Sequence, residues 1–234
     1  LCSGLFLQGS YSQDLSASVT FRVGALHALI IALVFAQEIQ NNREIRGQLV
    51  AEATAISDLF YDLGRYGGSE TQKMRVTVAR YARQVVEGDW PALRKHRRNA
   101  EGSYVHWEAI YQHVLDLVPQ NPRHEALRAH MLDRIHRIID VRQARKNAAT
   151  QSISVLFWLA ASSGLFFVWV PFCVYPPRPL NLLLIVTFAA YTGLVLFIIY
   201  AFSDPFSPPG ALLPTSYQSL LDGEIGQWVD GQPK

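Results

Sequence analysis

The chain has 234 residues, of which 50% are apolar and 17% charged, a balance that excludes a disordered tail. Its formal net charge of +2 gives no global basic field for nucleic acid, and its two cysteines, Cys2 and Cys173, allow neither a disulfide framework nor a thiolate zinc site. These averages hide a segregation: residues 38–150 hold 18 of the 21 Lys and Arg and 14 of the 19 Asp and Glu, so a charged, water-compatible middle lies between apolar flanks.

Residues 1–18 form an N-terminal stub. Its apolar start, Leu1-Cys2-Ser3-Gly4-Leu5-Phe6-Leu7, reads either as the end of an earlier span or as the remnant of a signal segment, and both stay open. Residues 19–37 predict a first membrane helix. Val23 to Gln37 is free of formal charge, and spanning length is reached by including Arg22, which can snorkel to the interface. Gly24, Ala28, Ala32 and Ala36 recur at every fourth residue, a stripe that lets a second membrane helix approach closely. His27 lies about eight residues into this span. Ionisable groups at such depth usually face a bundle interior or a water path, which makes His27 and Arg22 the candidate pore groups; hydrogen bonding within the bundle is the alternative for His27.

Residues 38–150 predict a helical domain. Ile45, Leu49, Ala53, Ile56, Phe60 and Leu63 make one apolar stripe at helical spacing. No proline separates it from the first span, so a single helix is predicted over 19–63, ended by Gly64, Gly67 and Gly68. Ser69 is the expected cap of the next helix, running to about Val86 with Val78, Ala82 and Val85 on one face. Asp89-Trp90-Pro91 marks a turn or a new helix start. A further helix is predicted from about Ser103 to Val118, broken by Pro119-Gln120-Asn121-Pro122. The helix that follows Arg123 puts Leu127, Ile135, Ile138 and Val141 inward and is expected to continue through Asn147 into the second span. No alternating strand pattern occurs.

Residues 151–203 predict a transmembrane hairpin. Asn147 to Pro177 and Pro179 to Ser203 are uncharged, with only Arg178 between them inside a proline-rich joint. Spans at about 152–174 and 180–202 fit the roughly 20 residues a bilayer requires. A buried soluble hairpin is the alternative, but a chain this small has no domain to surround both helices. Residues 204–234 are left as a C-terminal tail. Arg43, Arg46, Arg134, Arg137, Arg142, Arg145 and Lys146 flank the spans on the side of the charged middle, against Arg22 and Arg178 on the other. This asymmetry places residues 38–150 in the cytoplasm of a multi-pass bacterial inner-membrane protein, with Arg43, Arg46, Arg142, Arg145 and Lys146 at the lipid headgroups.

No motif nominates catalysis. His124 and His130 are six residues apart, which is wrong for two metal ligands on one helix face. His106 and His113 share a face but find no carboxylate to complete a site. There is neither a phosphate-cradling glycine loop nor a nucleophile elbow. The run Arg94-Lys95-His96-Arg97-Arg98, the densest charge cluster, reads as a solvated loop, with anionic lipid heads or nucleotides as alternative partners. The expectation is a protein that is not an enzyme and holds no cofactor or metal.

Three segments in order carry a resemblance. They are the small-residue span leading into Gln48-Leu49-Val50-Ala51-Glu52-Ala53, the Tyr81 to Leu93 stretch with Glu87 and Trp90-Pro91, and Asp204-Pro205-Phe206 just after the last span. Together they resemble the bacterial bestrophin-like membrane proteins, a domain family of unassigned function, over about residues 17–221. The family usually carries one more N-terminal span. The resemblance implies an all-α integral membrane protein with three visible transmembrane helices, a further N-terminal one truncated, and a helical-bundle cytosolic insert. It also implies kinship with bestrophins, pentameric chloride-permeable channels with four spans per subunit. The functional expectation is a homo-oligomeric anion-permeable channel; a non-catalytic scaffold or accessory subunit of a larger membrane complex is the alternative. The implied partners are the lipid bilayer, further copies of the chain or other subunits, and anions, with no nucleic acid.

Overall fold

A computed structural model describes residues 10–151, 153–174 and 178–230, and among them it contains helices and no strand. The segment read as an earlier span or a signal remnant lies outside the described residues, as does the joint Tyr175-Pro176-Pro177. Three helical runs, within Asp14–Tyr66, Pro122–Phe172 and Pro179–Phe202, are long and apolar enough to cross a membrane.

The longest element is α1 (Ser10–Tyr66), 57 residues without a break. It begins nine residues before the predicted start at 19. Within these added turns the Thr20 hydroxyl donates to the Ser16 carbonyl at 2.8 Å. The described chain forms two compact units. One comprises the chain up to Asn41 with residues 152–203; the other comprises residues 42–151 and the chain from Asp204 onward.

The apolar unit consists of the first part of α1 with α6 (Val155–Trp169), a 3₁₀ turn (Val170–Val174) and α7 (Pro179–Phe202). The Ser16 hydroxyl donates to the Pro171 carbonyl at 2.7 Å, Gly24 lies beneath Val168, and the His27 ring lies against Gly164. Partners descend along α6 as α1 ascends, so the two helices are antiparallel. Ile31, Phe157, Ala161 and Ile199 form the small buried core, and Phe35 meets Phe202 with ring centroids 6.4 Å apart.

The charged unit packs the second part of α1 with α2 (Ser69–Gln84), a π-helical turn (Val85–Asp89), α3 (Trp90–His96), α4 (Glu101–Asp116), α5 (Pro122–Thr150) and the short α8 (Thr215–Leu221) and α9 (Glu224–Gln227). The predicted stripe Ile45, Leu49, Ala53, Ile56, Phe60 and Leu63 is buried throughout. Gly67 and Gly68 have φ of 82° and 100°, a left-handed backbone that glycine adopts without strain, and they turn the chain from α1 into α2. Gly68, rather than Ser69, is the N-cap of α2. The helix after Arg123 does not run into the second span. It ends at Thr150, Gln151 is extended, and α6 starts afresh with the Ser154 hydroxyl accepting from the Leu156 amide at 3.2 Å.

The segment read as a C-terminal tail belongs to the core of this unit: Phe206, Leu212, Tyr217, Ile225 and Val229 are all buried. Its far end is gripped by Arg75, whose guanidinium is sandwiched between Phe60 and Trp228 at 4.1 and 4.0 Å and bonds Glu224 at 3.1 Å. Five scattered apolar residues among prolines and serines have no helical period, so the sequence alone gives no sign that they are buried.

Candidate functional site

The pore candidates and the small-residue stripe lie on the first part of α1. Ala28, Ala32 and Ala36 are exposed, and only Gly24 of the stripe packs within the chain, against α6. The face used internally is the adjacent one through His27 and Ile31. His27 is 5% exposed, and neither ring nitrogen has a hydrogen-bond partner among the described residues. A side chain at 164 would collide with its ring, so Gly164 makes the room His27 occupies. Arg22 is exposed. The two candidates are therefore not equivalent: His27 is held inside the chain, and Arg22 is on its surface.

The charged unit has a buried ionic network that sequence reading did not assemble. Arg145 of α5 is fully buried. Its Nη1 lies 3.1 Å from Glu52 Oε2 and donates to the Tyr217 hydroxyl at 3.1 Å, while Nη2 lies 3.0 Å from Asp89 Oδ2. Glu52, also fully buried, accepts from the Tyr81 hydroxyl at 2.8 Å and from the Tyr217 hydroxyl at 2.7 Å. Asp89 Oδ1 accepts from the Ser103 hydroxyl and the Ala100 amide, both at 2.8 Å. Arg142 completes the set, 3.4 Å from Asp89 Oδ2, bonded to the Ser103 hydroxyl and donating to the Ala100 carbonyl at 2.9 Å. Two carboxylates thus face two guanidiniums. Burying either sign alone costs several kcal/mol per ion, so the network exists only because both signs arrive together.

Local structure aims these groups inward. Glu52 continues the α1 stripe one turn after Leu49. The π-helical turn Val85–Asp89 adds a residue to its helical turn, which rotates Asp89 into the core beside Ser103. Gln84 fits between Gly88 and Gly102, where a β-carbon at either glycine would meet its amide. Trp90 closes the network from one side. Its indole N–H donates to the Leu212 carbonyl at 2.9 Å, and its ring meets Phe206 and Tyr217 edge-on.

The environment sets the charge states. Burial is the strongest influence on Glu52 and raises its pKa, opposed by the Arg145 charge and the two tyrosine hydroxyls. Burial, reinforced by the Glu52 charge, pushes Tyr81 and Tyr217 well above the ordinary phenol range. For Arg145 burial works against the charge, but Glu52, the two tyrosines and Asp89 together hold its pKa above the ordinary value. The network is therefore a fixed electrostatic lock across α1, α2, the π turn, α4, α5 and α8.

The lipid-facing assignment divides. Arg43, Arg46 and Lys146 are exposed. Arg142 and Arg145 are corrections, because their guanidiniums are buried on Asp89 and Glu52 and cannot reach a headgroup. Proximity in sequence to a span placed all five together, whereas the helical period turns 142 and 145 inward and 146 outward. Of the motif residues, Glu52, Trp90 and Phe206 belong to the lock and its wall. Pro91 starts α3, Glu87 is exposed, and the Pro205 carbonyl accepts from the Leu212 amide at 2.7 Å. Asp204 pairs with Arg97 at 3.2 Å and caps the Phe206 amide. His124 stacks on Tyr66 and His130 faces Asp62, so the two do not converge. Among the described residues no group of three or more His, Cys, Asp and Glu is placed to hold a metal ion.

The model of the Bestrophin-like domain matches residues 6–210. No curated protein matches the chain significantly. The fold is similar to a crystal structure of a membrane protein point variant, with a TM-score of 0.69, 14% identity, and coverage of 92% of this chain and 88% of that one. It is also similar to point variants of a bacterial bestrophin homologue from Klebsiella pneumoniae. One has a TM-score of 0.69 at 15% identity, covering 91% of this chain and 87% of that one. Another has a TM-score of 0.62 at 13% identity, covering 92% and 97%. At such identities the likeness is one of fold. With three membrane-length helices and a family match over most of its length, the chain is an all-α membrane protein that belongs to the Bestrophin-like domain family.

Proposed function

We propose that the protein is a homo-oligomeric, anion-permeable channel of the bacterial inner membrane, with residues 38–150 in the cytoplasm and the first span of each subunit lining or flanking the pore. The observation that carries this reading is the exposed run Ala28, Ala32 and Ala36 on α1. Small residues on a membrane helix favour close helix contact, and the subunit's own α6 and α7 leave these three uncovered. Arg22, exposed on the same helix, would form a ring of positive charge in a symmetric assembly, and such rings favour anions. His27 supports the helix from within the subunit rather than facing permeant ions. Kinship with bestrophins supports chloride as the permeant ion. In planar bilayers the purified protein should carry chloride current, and Arg22→Glu should lower chloride selectivity. Active preparations that pass no current would overturn the channel.

One observation favours a second reading. Three of the residues that carry the family resemblance, Glu52, Trp90 and Phe206, belong to the ionic lock of the charged unit and its wall. A helical bundle locked by buried ion pairs suits a scaffold or accessory subunit of a membrane complex. Native mass spectrometry from gentle detergent separates the two: a stoichiometric foreign subunit favours the scaffold, and a symmetric self-assembly favours the channel.

A further inference from the structure

We infer that the basic run 94–98 is a binding site for anionic phospholipid headgroups, held at the membrane surface by the Arg97–Asp204 ion pair. Arg94, Lys95 and His96 end α3, Arg97 caps it in the left-handed conformation with φ 53°, and Arg98 follows. All five are exposed. Arg97 Nη2 pairs with Asp204 Oδ2 at 3.2 Å. The side chains of Arg94, Lys95, His96 and Arg98 make no ion pair or hydrogen bond among the described residues. Four formal positive charges therefore meet one carboxylate.

Position selects the partner. Asp204 follows Phe202, the last residue of α7, by two residues, a chain reach of at most about 7 Å. Arg97 is bonded to the first charged residue after the last span. The next residues are fastened as well: the Asn99 amide donates to the Arg142 carbonyl at 2.8 Å, and Arg142 Nη2 returns a bond to the Ala100 carbonyl at 2.9 Å. Arg142 is eight residues, or about 12 Å, before the end of α5, from which the chain passes into the second span. The loop is thus anchored twice to segments that lead into the membrane, and its free cations are assigned to the headgroup surface, where basic groups attract anionic lipid. Cations in a last helical turn complement the helix dipole, which accounts for part of Arg94 and Lys95. It does not account for Arg98, outside the helix, or for an ion pair spent on tethering Arg97 to the membrane exit.

The test uses the full chain in a neutral detergent, with added dioleoyl phosphatidylglycerol, dioleoyl phosphatidylcholine or inorganic phosphate. Phosphatidylglycerol should raise the thermal midpoint and appear as bound lipid in native mass spectra, and phosphatidylcholine should not. The triple variant R94Q/K95Q/R98Q should require at least about tenfold more phosphatidylglycerol for half of the effect, since each basic group near an anionic surface contributes about 1 kcal/mol. The variant R94K/R98K should retain binding, because charge rather than fork geometry is recognised. A control of equal charge change, R65Q/K73Q/R123Q, lies where Tyr66 stacks on His124 at the far end of α1 and should bind as the wild type does. Equal loss in both triples, or no loss in the first, would overturn the site. Inorganic phosphate that stabilises the protein and removes the lipid effect would overturn the lipid assignment in favour of a free-anion site. Ion conduction plays no part in these readouts, so a failure here leaves the channel reading intact.

Discussion

Arg145 Nη1 and Glu52 Oε2 lie 3.1 Å apart, with both side chains wholly buried, and this pair ties α5 to α1 through the centre of the charged unit. Removing one member strands the other's charge. Arg145→Met leaves Glu52 and Asp89 facing each other with only Arg142 in compensation, and it should destabilise the protein by about 3–5 kcal/mol. Denaturant unfolding in detergent, followed by circular dichroism, measures this. The double variant Glu52→Gln/Arg145→Met should recover part of the loss, and a midpoint unchanged by Arg145→Met alone would sink the lock.

The two tyrosines predict how stability depends on alkali. Their folded-state pKa values are raised, while an unfolded tyrosine ionises near about 10. For an acid with a raised folded pKa, the stabilising contribution is complete below the unfolded pKa and is lost as pH rises towards the folded one. The unfolding free energy should therefore fall above about pH 10, by up to about 1.4 kcal/mol per pH unit for each tyrosine. Tyr81→Phe and Tyr217→Phe should each flatten this decline. Each should also cost about 1.5–3 kcal/mol at neutral pH, because a hydrogen bond to a charged carboxylate is lost. A variant with an unaltered alkaline profile would count against the assignment.

In the apolar unit, Gly164 exists to admit the His27 ring. Gly164→Ala should destabilise the protein by about 1–3 kcal/mol through overpacking. His27→Ala should relieve the strain, so that the double variant is more stable than the sum of the single losses allows. Thermal midpoints of the four proteins complete the cycle, and simple additivity would show that the two positions do not touch.

Ala32 is exposed on the chain and belongs to the proposed contact stripe. Ala32→Leu should leave the helical signal and the subunit's fold intact while reducing the assembled fraction, as size-exclusion chromatography with light scattering would report. An assembly of unchanged size and stability would remove the stripe from the interface.

Much of the architecture could be read along the chain. Length and hydropathy mark the spans, a period of 3.6 marks the α1 stripe, and Gly67-Gly68 and Pro122 mark the breaks. Two local readings failed for identifiable reasons. Hydropathy marks Val19 as the start of the first span but not of the helix, which begins at Ser10, and the uncharged stretch after Lys146 hides the break at Gln151 because an extended residue costs no change in polarity. The π-helical turn at Val85–Asp89 was not legible either, since Val-Val-Glu-Gly-Asp is equally compatible with an α-helix. It decides that Asp89 points into the core.

Hydrophobic length and helical period are properties of neighbouring residues, and for that reason the sequence by itself determined the all-α class, the three membrane-length helices and the alternation of greasy and charged material. Which charges are buried is a property of elements far apart in the chain. Arg145 and Lys146 are adjacent cations near the same span, yet one is locked between Glu52 and Asp89 and the other meets solvent. Only the packing of α5 against α1 and α8 separates them, because a buried guanidinium is tolerated solely where folding delivers the opposite charge to it.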